Sequence, residues 1–217
     1  SCSNFTNYYV KITKYINNTL TCCSDRSTCN SISFIVYYVS SSIKFTYPEM
    51  DGTPVEPHQK NFDLEAFIEF DHNLYLFTKN RTAPFDGITN VYKVGDHAAN
   101  FNAEKIDAFK TCTTLEKLCW ITSAAISPDR KRLVLLDSTS IWLFENFPSD
   151  RFFSGDIYRI DLGLITQKEA VTFYDNNTLV FTDEEFKGLI GGNAYKIELD
   201  KVAKQPIRTS SPSNPAE

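Results

Sequence analysis

The stretch EAFIEFDHNLYLFT, residues 65–78, recurs as EAVTFYDNNTLVFT at residues 169–182. The two lines lie 104 residues apart and match without a gap at six of fourteen positions. Two unrelated segments of this length and ordinary composition would match by chance at roughly one position. A third copy, SAAISPDRKRLVLL at residues 123–136, places Asp129 under Asp71. A line repeated at intervals of 46 and 58 residues indicates a fold built from repeated units.

Each copy predicts two strands around a tight turn. The turns FDHN, SPDRKR and YDNN use Asp, Asn and Pro, and the flanking segments are rich in Val, Leu, Phe and Tyr. A third strand is predicted after each copy, and a fourth after two of them, as EKIDAFK and GDIYRIDL. We therefore predict an all-β, β-propeller-like fold with about four four-stranded blades. A generic β-sandwich is the alternative.

The composition predicts three regions along the chain. Residues 1–47 contain no Gly or Pro and hold four of the six cysteines, which is atypical of a propeller. We interpret this segment either as a divergent blade, with SISFIVYYV and SSIKFTYP as its third and fourth strands, or as the product of a wrong reading frame or gene boundary. Residues 48–205 are predicted to form the blades. The tail, residues 206–217, ends in TSSPSNPAE and is predicted to be disordered.

Charge and cysteine usage narrow the class of protein. The net charge of −5 argues against a nucleic-acid-binding surface. No run of 18 apolar residues predicts a transmembrane span. Cys112 and Cys119 flank a short polar loop, which favours a disulfide formed in an oxidising compartment. Free thiols are the next alternative, and a metal site is the least favoured of the three. A lipid anchor at Cys2 is a further hypothesis.

The chain resembles a known group of exported proteins over about residues 43–199. The runs FDLEAFIEFDHNLYLFTKNR, CWITSAAISPDRKRLVLL and QKEAVTFYDNNTLVFTDE are similar to TolB-like or SdiA-regulated-like β-propeller proteins of Bacteroidota. These are often lipoproteins or cargo of type IX secretion. ISPDRKR resembles the TolB-type turn S-P-D-G-K-R, with Arg130 where Gly is usual. The resemblance implies export to the periplasm, the outer-membrane surface or the medium, but no particular reaction.

Two glutamates are the leading candidate site residues. The first strand of each propeller blade lines the central channel, so Glu65 and Glu169 are predicted to face the axis near one mouth. With Asp183 and Glu184 they would offer the oxygen ligands that Ca²⁺ requires. The favoured alternative is structural, with each glutamate bound to neighbouring backbone or paired with a basic residue such as Lys79.

A basic pair and two tryptophans complete the candidates. Lys79 and Arg81 follow a predicted strand and are candidate ligands for an anion, although a surface salt bridge is an equally good interpretation. Trp120 and Trp142 fall in strand patterns, which predicts core packing; a sugar platform is the alternative if one of the rings is exposed.

The favoured function is an exported, non-catalytic propeller scaffold that binds a protein or a glycan. One alternative is a Ca²⁺-dependent propeller hydrolase of a small ester or phosphate. A second alternative is an incomplete propeller that needs a partner chain. No G-x-S-x-G elbow is present to suggest a serine hydrolase.

Overall fold

A computed structural model describes residues 8–23, 29–50, 56–112, 115–163, 165–185 and 191–209, and up to residue 42 it describes the backbone alone. The prediction of an all-β chain is confirmed. The strands in chain order are β1 (Tyr8–Cys23), β2 (Cys29–Thr46), β3 (Asp63–Phe70), β4 (Asn73–Lys79), β5 (Ile88–Gly95), β6 (Asn100–Asn102), β7 (Glu104–Lys110), β8 (Ser123–Ile126), β9 (Arg132–Leu136), β10 (Ser140–Glu145), β11 (Asp156–Asp161), β12 (Lys168–Phe173), β13 (Thr178–Asp183), β14 (Ala194–Glu198) and β15 (Gln205–Arg208). A single turn of helix, α1 (Glu116–Cys119), lies before β8.

The strands form four sheets, none of which closes on itself. Each copy of the repeated sequence forms a β-hairpin, and this hairpin supplies the first two strands of an antiparallel sheet. Repeat sheet 1 has the order β3-β4-β5-β7, repeat sheet 2 has β8-β9-β10-β11-β15, and repeat sheet 3 has β12-β13-β14. The N-terminal sheet has the order β1-β2-β6. EKIDAFK is strand β7, as its place in the repeat predicts.

The three repeat sheets stack in sequence order, with their first strands side by side. β8 lies between β3 and β12 and contacts both. Repeat sheets 1 and 2 enclose an aromatic cluster, in which Phe109 lies 5.1 Å from Phe144, and Phe144 lies 4.9 Å from Phe153, between ring centroids. Repeat sheets 2 and 3 enclose Leu143 and Phe181 with other buried apolar residues. Burial of each such side chain contributes about 1.5–3 kcal/mol.

Contacts between the hairpin turns also follow the order of the repeats. Arg130 of the second turn forms an ion pair of 2.8 Å with Glu69 beside the first turn. The backbone N–H of Asp129 donates to the Asn176 side chain of the third turn at 2.9 Å. Arg130 has a φ angle of 60°, a conformation that favours glycine. Arginine at this position therefore accepts backbone strain and gains a contact with the neighbouring repeat.

The N-terminal sheet covers the outer face of repeat sheet 1. β1 and β2 form one long antiparallel hairpin, and the end of β2 pairs in parallel with β6. Ile43 and Phe45 of β2 pack with Leu76 and Tyr92 of repeat sheet 1. The prediction that SISFIVYYV and SSIKFTYP form two separate strands is wrong, because no Gly or Pro interrupts this run and β2 continues from one into the other.

The C-terminal end also departs from prediction. The disordered tail was predicted from residue 206, but Gln205–Arg208 form β15, which pairs with β11 as the last strand of repeat sheet 2. Residues 210–217 and the proposed anchor residue Cys2 lie outside the described residues. Within the described ranges, no helix has the length and apolar character needed to cross a bilayer.

Candidate functional site

A cleft opens where the first strands of the three repeat sheets begin. Its volume is about 360 Å³, within the range of small-ligand sites. It is bounded by the segments that follow β4 and β9 and by those that precede β8 and β12. We call it the mouth cleft, and its lining residues are Lys79, Arg81, Lys117, Leu118, Trp120, Thr122, Ser138, Ile165, Thr166 and Gln167.

The two candidate glutamates are both the extra residue of a β-bulge. In the pairing of β3 with β4, Leu64 and Ala66 have partners and Glu65 is skipped. In the pairing of β12 with β13, Lys168 and Ala170 have partners and Glu169 is skipped. A bulge bends the strand and redirects a side chain. The recurring Glu-Ala pair is thus a recurring bulge near the start of the first strand of a repeat sheet.

Glu65 is neutralised by the basic pair. Lys79 Nζ donates to Glu65 Oε2 at 2.5 Å, and the Lys79 side chain is only 8% exposed. Arg81 lies 2.9 Å from Asp63 Oδ2 and 3.8 Å from Glu65 Oε1. The structural interpretation of Glu65 is therefore the one observed. Lys79 and Arg81 both line the mouth cleft, with Glu65 behind them as their counter-charge.

The other predicted carboxylates have separate roles. Glu169 accepts a hydrogen bond of 2.7 Å from the side chain of Gln167, which lines the cleft. Asp183 accepts from the Asn193 backbone N–H, whereas Glu184 is exposed. No three His, Cys, Asp or Glu side chains in the described part of the chain form a group that could hold a metal ion. The four predicted Ca²⁺ ligands therefore do not form such a group.

The repeat places a buried charged residue at the same point in each copy. Lys79, Asp137 and Asp183 each lie fourteen residues after the first residue of their copy, and each is at most 7% exposed. Asp137 is a residue that the sequence interpretation missed. The gapless alignment of the copies was the signal that could have found it.

Asp137 organises the turn beside the cleft. Its Oδ1 accepts from the backbone N–H groups of Thr139 and Ser140 at 2.7 Å, and its Oδ2 accepts from Trp142 Nε1 at 2.8 Å. Burial raises the pKa of Asp137 above its ordinary value, although these hydrogen bonds act to lower it. The core position predicted for Trp142 is confirmed, since it lies in β10 and is 4% exposed.

Lys168 is a second buried charge beside the cleft. It is 1% exposed, and its Nζ donates to the Ser138 carbonyl at 3.2 Å and to Thr166 Oγ1 at 2.9 Å. Burial lowers the pKa of Lys168, while the charges of Asp183 and Asp137 act to raise it. This lysine therefore joins two segments of the cleft wall and has little access to solvent.

The pKa of Asp183 lies below its ordinary value. Burial acts to raise it, but hydrogen bonds from Asn193, Thr166 and Tyr195 and the positive charge of Lys168 outweigh that effect. Asp183 is therefore a carboxylate held in its ionised form within the wall.

Trp120 lies at the cleft and not in a strand, so its predicted core-strand position is wrong. It follows α1 directly and is half-buried. Arg81 Cζ lies 4.2 Å and Lys79 Nζ 5.2 Å from the ring centroid, within cation–π range. Trp120 Nε1 is buried without a hydrogen-bond partner among the described residues.

A disulfide fixes the segment that carries Trp120. Cys112 and Cys119 are bonded, as predicted, with Cα atoms 5.5 Å apart. The bond closes the loop that contains Lys117, which is exposed and has no acidic partner among the described residues. The sequence interpretation also missed Lys117. Its signal was the position of the disulfide loop directly before the copy of the repeat at residues 123–136.

The sequence was compared with models of known protein families and with curated proteins, and neither comparison gives a match.

Proposed function

We propose that this protein is an exported β-propeller-like scaffold that binds a glycan in the mouth cleft and has no catalytic role. The observation that carries the proposal is the position of the cleft. It lies where three inner strands begin together, and it contains a tryptophan ring flanked by cations. Binding sites commonly occur at such convergent ends of repeated elements.

The propeller interpretation is supported by the arrangement of the repeat sheets. Each opens with the repeated hairpin, and their first strands are neighbours, as the inner strands of propeller blades are. The N-terminal sheet packs on repeat sheet 1 and would take the place of a fourth blade. The resemblance to exported propellers of Bacteroidota points the same way.

Export is supported by the disulfide, since such bonds persist in oxidising compartments. We propose a location in the periplasm, on the outer-membrane surface or outside the cell. An anchor at Cys2 would fit the resemblance to lipoproteins.

The shape of the cleft favours a glycan over a protein partner. The mouth cleft is a concave recess of about 360 Å³, the form typical of small-ligand sites, whereas stable protein interfaces extend over a broad surface. Thr166 and Gln167, which are not buried, provide polar groups for sugar hydroxyls, and Trp120 provides an apolar ring. A protein partner is an outcome that the test below would reveal.

One observation favours the alternative of an incomplete propeller. Ala170, Thr172 and Lys196 on the outer face of repeat sheet 3 are exposed, and Tyr174 beside them is 76% exposed. A further blade from another chain would cover this face. No comparable observation favours the Ca²⁺-dependent hydrolase, because its predicted ligands do not form a group.

A glycan array tests the proposal. We expect the protein to bind a defined subset of glycans and the Trp120→Ala variant to lose that binding. Tyr174→Ala is the matched control, because it removes an exposed aromatic ring that follows the end of β12, whereas the cleft residues precede its start. Unchanged thermal midpoints would show that both variants fold. A blank array, or equal loss in both variants, would contradict the proposal and turn attention to protein partners.

A further inference from the structure

We infer that the mouth cleft selects an acidic glycan and that Lys117 contacts its anionic group. This inference rests on the proposed glycan-binding function and adds the chemical class of the ligand. It follows from the charge, the pairing and the aromatic ring of the cleft wall.

The charge of the cleft is opposite to that of the whole chain. Lys79, Arg81 and Lys117 line it, and the described part of its lining contains no Asp or Glu. The chain as a whole has a net charge of −5. A concave site lined by one sign of charge concentrates ligands of the other sign. A positive recess on an acidic protein therefore favours an anion over a neutral ligand.

The ion pairs show which of these cations is not neutralised by a carboxylate. Lys79 and Arg81 are matched by Glu65 and Asp63. Lys117 is exposed, and no ion pair to it occurs within the described ranges of the chain. The unmatched positive charge of the cleft is therefore on Lys117. A lysine ammonium has three donors that can bind a carboxylate or a sulfate.

Trp120 indicates that the anion belongs to a sugar and is not a free ion. One face of the indole is engaged by Arg81, and the residue is still partly open to solvent. Its buried Nε1 has no acceptor among the described residues. Such a donor is rare in folded proteins. An aromatic ring beside a free cation fits a sugar that carries a charge.

The disulfide keeps the two ligand-contacting residues together. Lys117 lies inside the loop closed by Cys112 and Cys119, and Trp120 follows it directly. The ammonium and the ring are therefore held on one short, cross-linked segment. Such a segment loses little conformational freedom when a ligand binds, which favours affinity.

The experiment compares three tetrasaccharides of one backbone: a neutral galactose tetramer, a galacturonate tetramer and a sulfated galactose tetramer. Dissociation constants are measured for the parent, Lys117→Gln and Lys196→Gln. Lys196 is the matched control because it is an exposed lysine on β14, outside the cleft lining.

We expect one or both acidic tetramers to bind the parent at least about tenfold more tightly than the neutral one. Lys117→Gln should abolish this preference and leave the affinity for the neutral tetramer unchanged, whereas Lys196→Gln should behave as the parent. The preference should also weaken as salt screens the charge. The carboxylate and sulfate arms identify which anionic group the cleft accepts.

Two outcomes would overturn the inference. Equal affinities for neutral and acidic tetramers, with binding still dependent on Trp120, would refute the charge selection and leave the proposed function intact. A preference that survives in Lys117→Gln would refute the role of that lysine. Absence of binding to all three tetramers would refute the inference, and a blank glycan array would refute the proposed function as well.

Discussion

Substitution of Asp137 by asparagine should destabilise the protein far more than a single change of charge would suggest. Asp137 is 1% exposed and accepts hydrogen bonds through both carboxylate oxygens. Oδ1 receives the backbone N–H groups of Thr139 and Ser140, and Oδ2 receives Trp142 Nε1 at 2.8 Å. An asparagine side chain has the same shape but only one acceptor oxygen.

The magnitude follows from the donors left without partners. With the asparagine oxygen on the two backbone N–H groups, its amide N–H₂ faces the indole N–H of Trp142. Each unsatisfied buried donor costs about 1–3 kcal/mol. The neutral amide avoids the burial cost that raises the pKa of Asp137, which offsets part of this loss. We expect the free energy of unfolding to fall by about 2–4 kcal/mol.

Urea denaturation, followed by tryptophan fluorescence, measures this change. A lower midpoint at an unchanged slope reports lost stability. Asp161→Asn is the matched control, because Asp161 is exposed and accepts one backbone N–H, from Gly163, which asparagine can also accept. Its effect should stay within about 0.5 kcal/mol. If Asp137→Asn unfolds at the same urea concentration as the control, the buried acceptor role of Asp137 is refuted.

Two further predictions concern the Asp150 ion pair and the disulfide. The hydrogen bond from Lys93 lowers the pKa of Asp150 in the folded protein. The ionised Asp150 therefore stabilises the fold above the unfolded-state pKa of about 3.9, and this contribution is lost as the pH falls through the lower folded-state pKa. The free energy of unfolding, measured by urea denaturation, should therefore fall more for the parent than for Asp150→Asn between about pH 5 and about pH 2. An equal fall in the two proteins would contradict this prediction. The Cys112→Ala, Cys119→Ala double variant should lose about 2.5 kcal/mol, the value for closing a loop of this length, and a urea midpoint equal to that of the parent would refute a stabilising cross-link.

The strands that the sequence predicted correctly are those with local signals. β3–β4 and β12–β13 combine apolar strand residues with Asp and Asn at the turns. Asp71 and His72 have φ angles of 51° and 60°, as a two-residue hairpin turn requires. These features lie within a few residues of each other, so the sequence alone contains them.

The features that were missed depend on contacts between distant segments. β15 is short and exposed, and it is a strand because β11, far earlier in the chain, offers it an edge. The bulges at Glu65 and Glu169 are a property of register, which hydrophobic periodicity does not report. The sequence interpretation nevertheless favoured a structural role for both glutamates, and Glu65 is indeed the partner of Lys79.

The candidate site was only half predictable. Lys79 and Arg81 were identified from the sequence because they follow a strand of the repeat. Lys117 was missed, and Trp120 was assigned to the core with a sugar platform as the alternative. The repeat includes neither residue, and their place at the cleft depends on the Cys112–Cys119 loop packing beside the first strands of the repeat sheets.

Selective quenching of tryptophan fluorescence shows whether the mouth cleft is open and positively charged. The chain has two tryptophans, and Trp142 is buried in the core, so Trp120 is the ring that a small ion can approach. An open, positive mouth cleft predicts that iodide quenches the emission and that caesium does so weakly. Trp120→Phe should abolish the iodide effect, and Lys117→Gln should reduce it. Equal quenching by the two ions, or none by either, would contradict an open cationic binding site at this mouth.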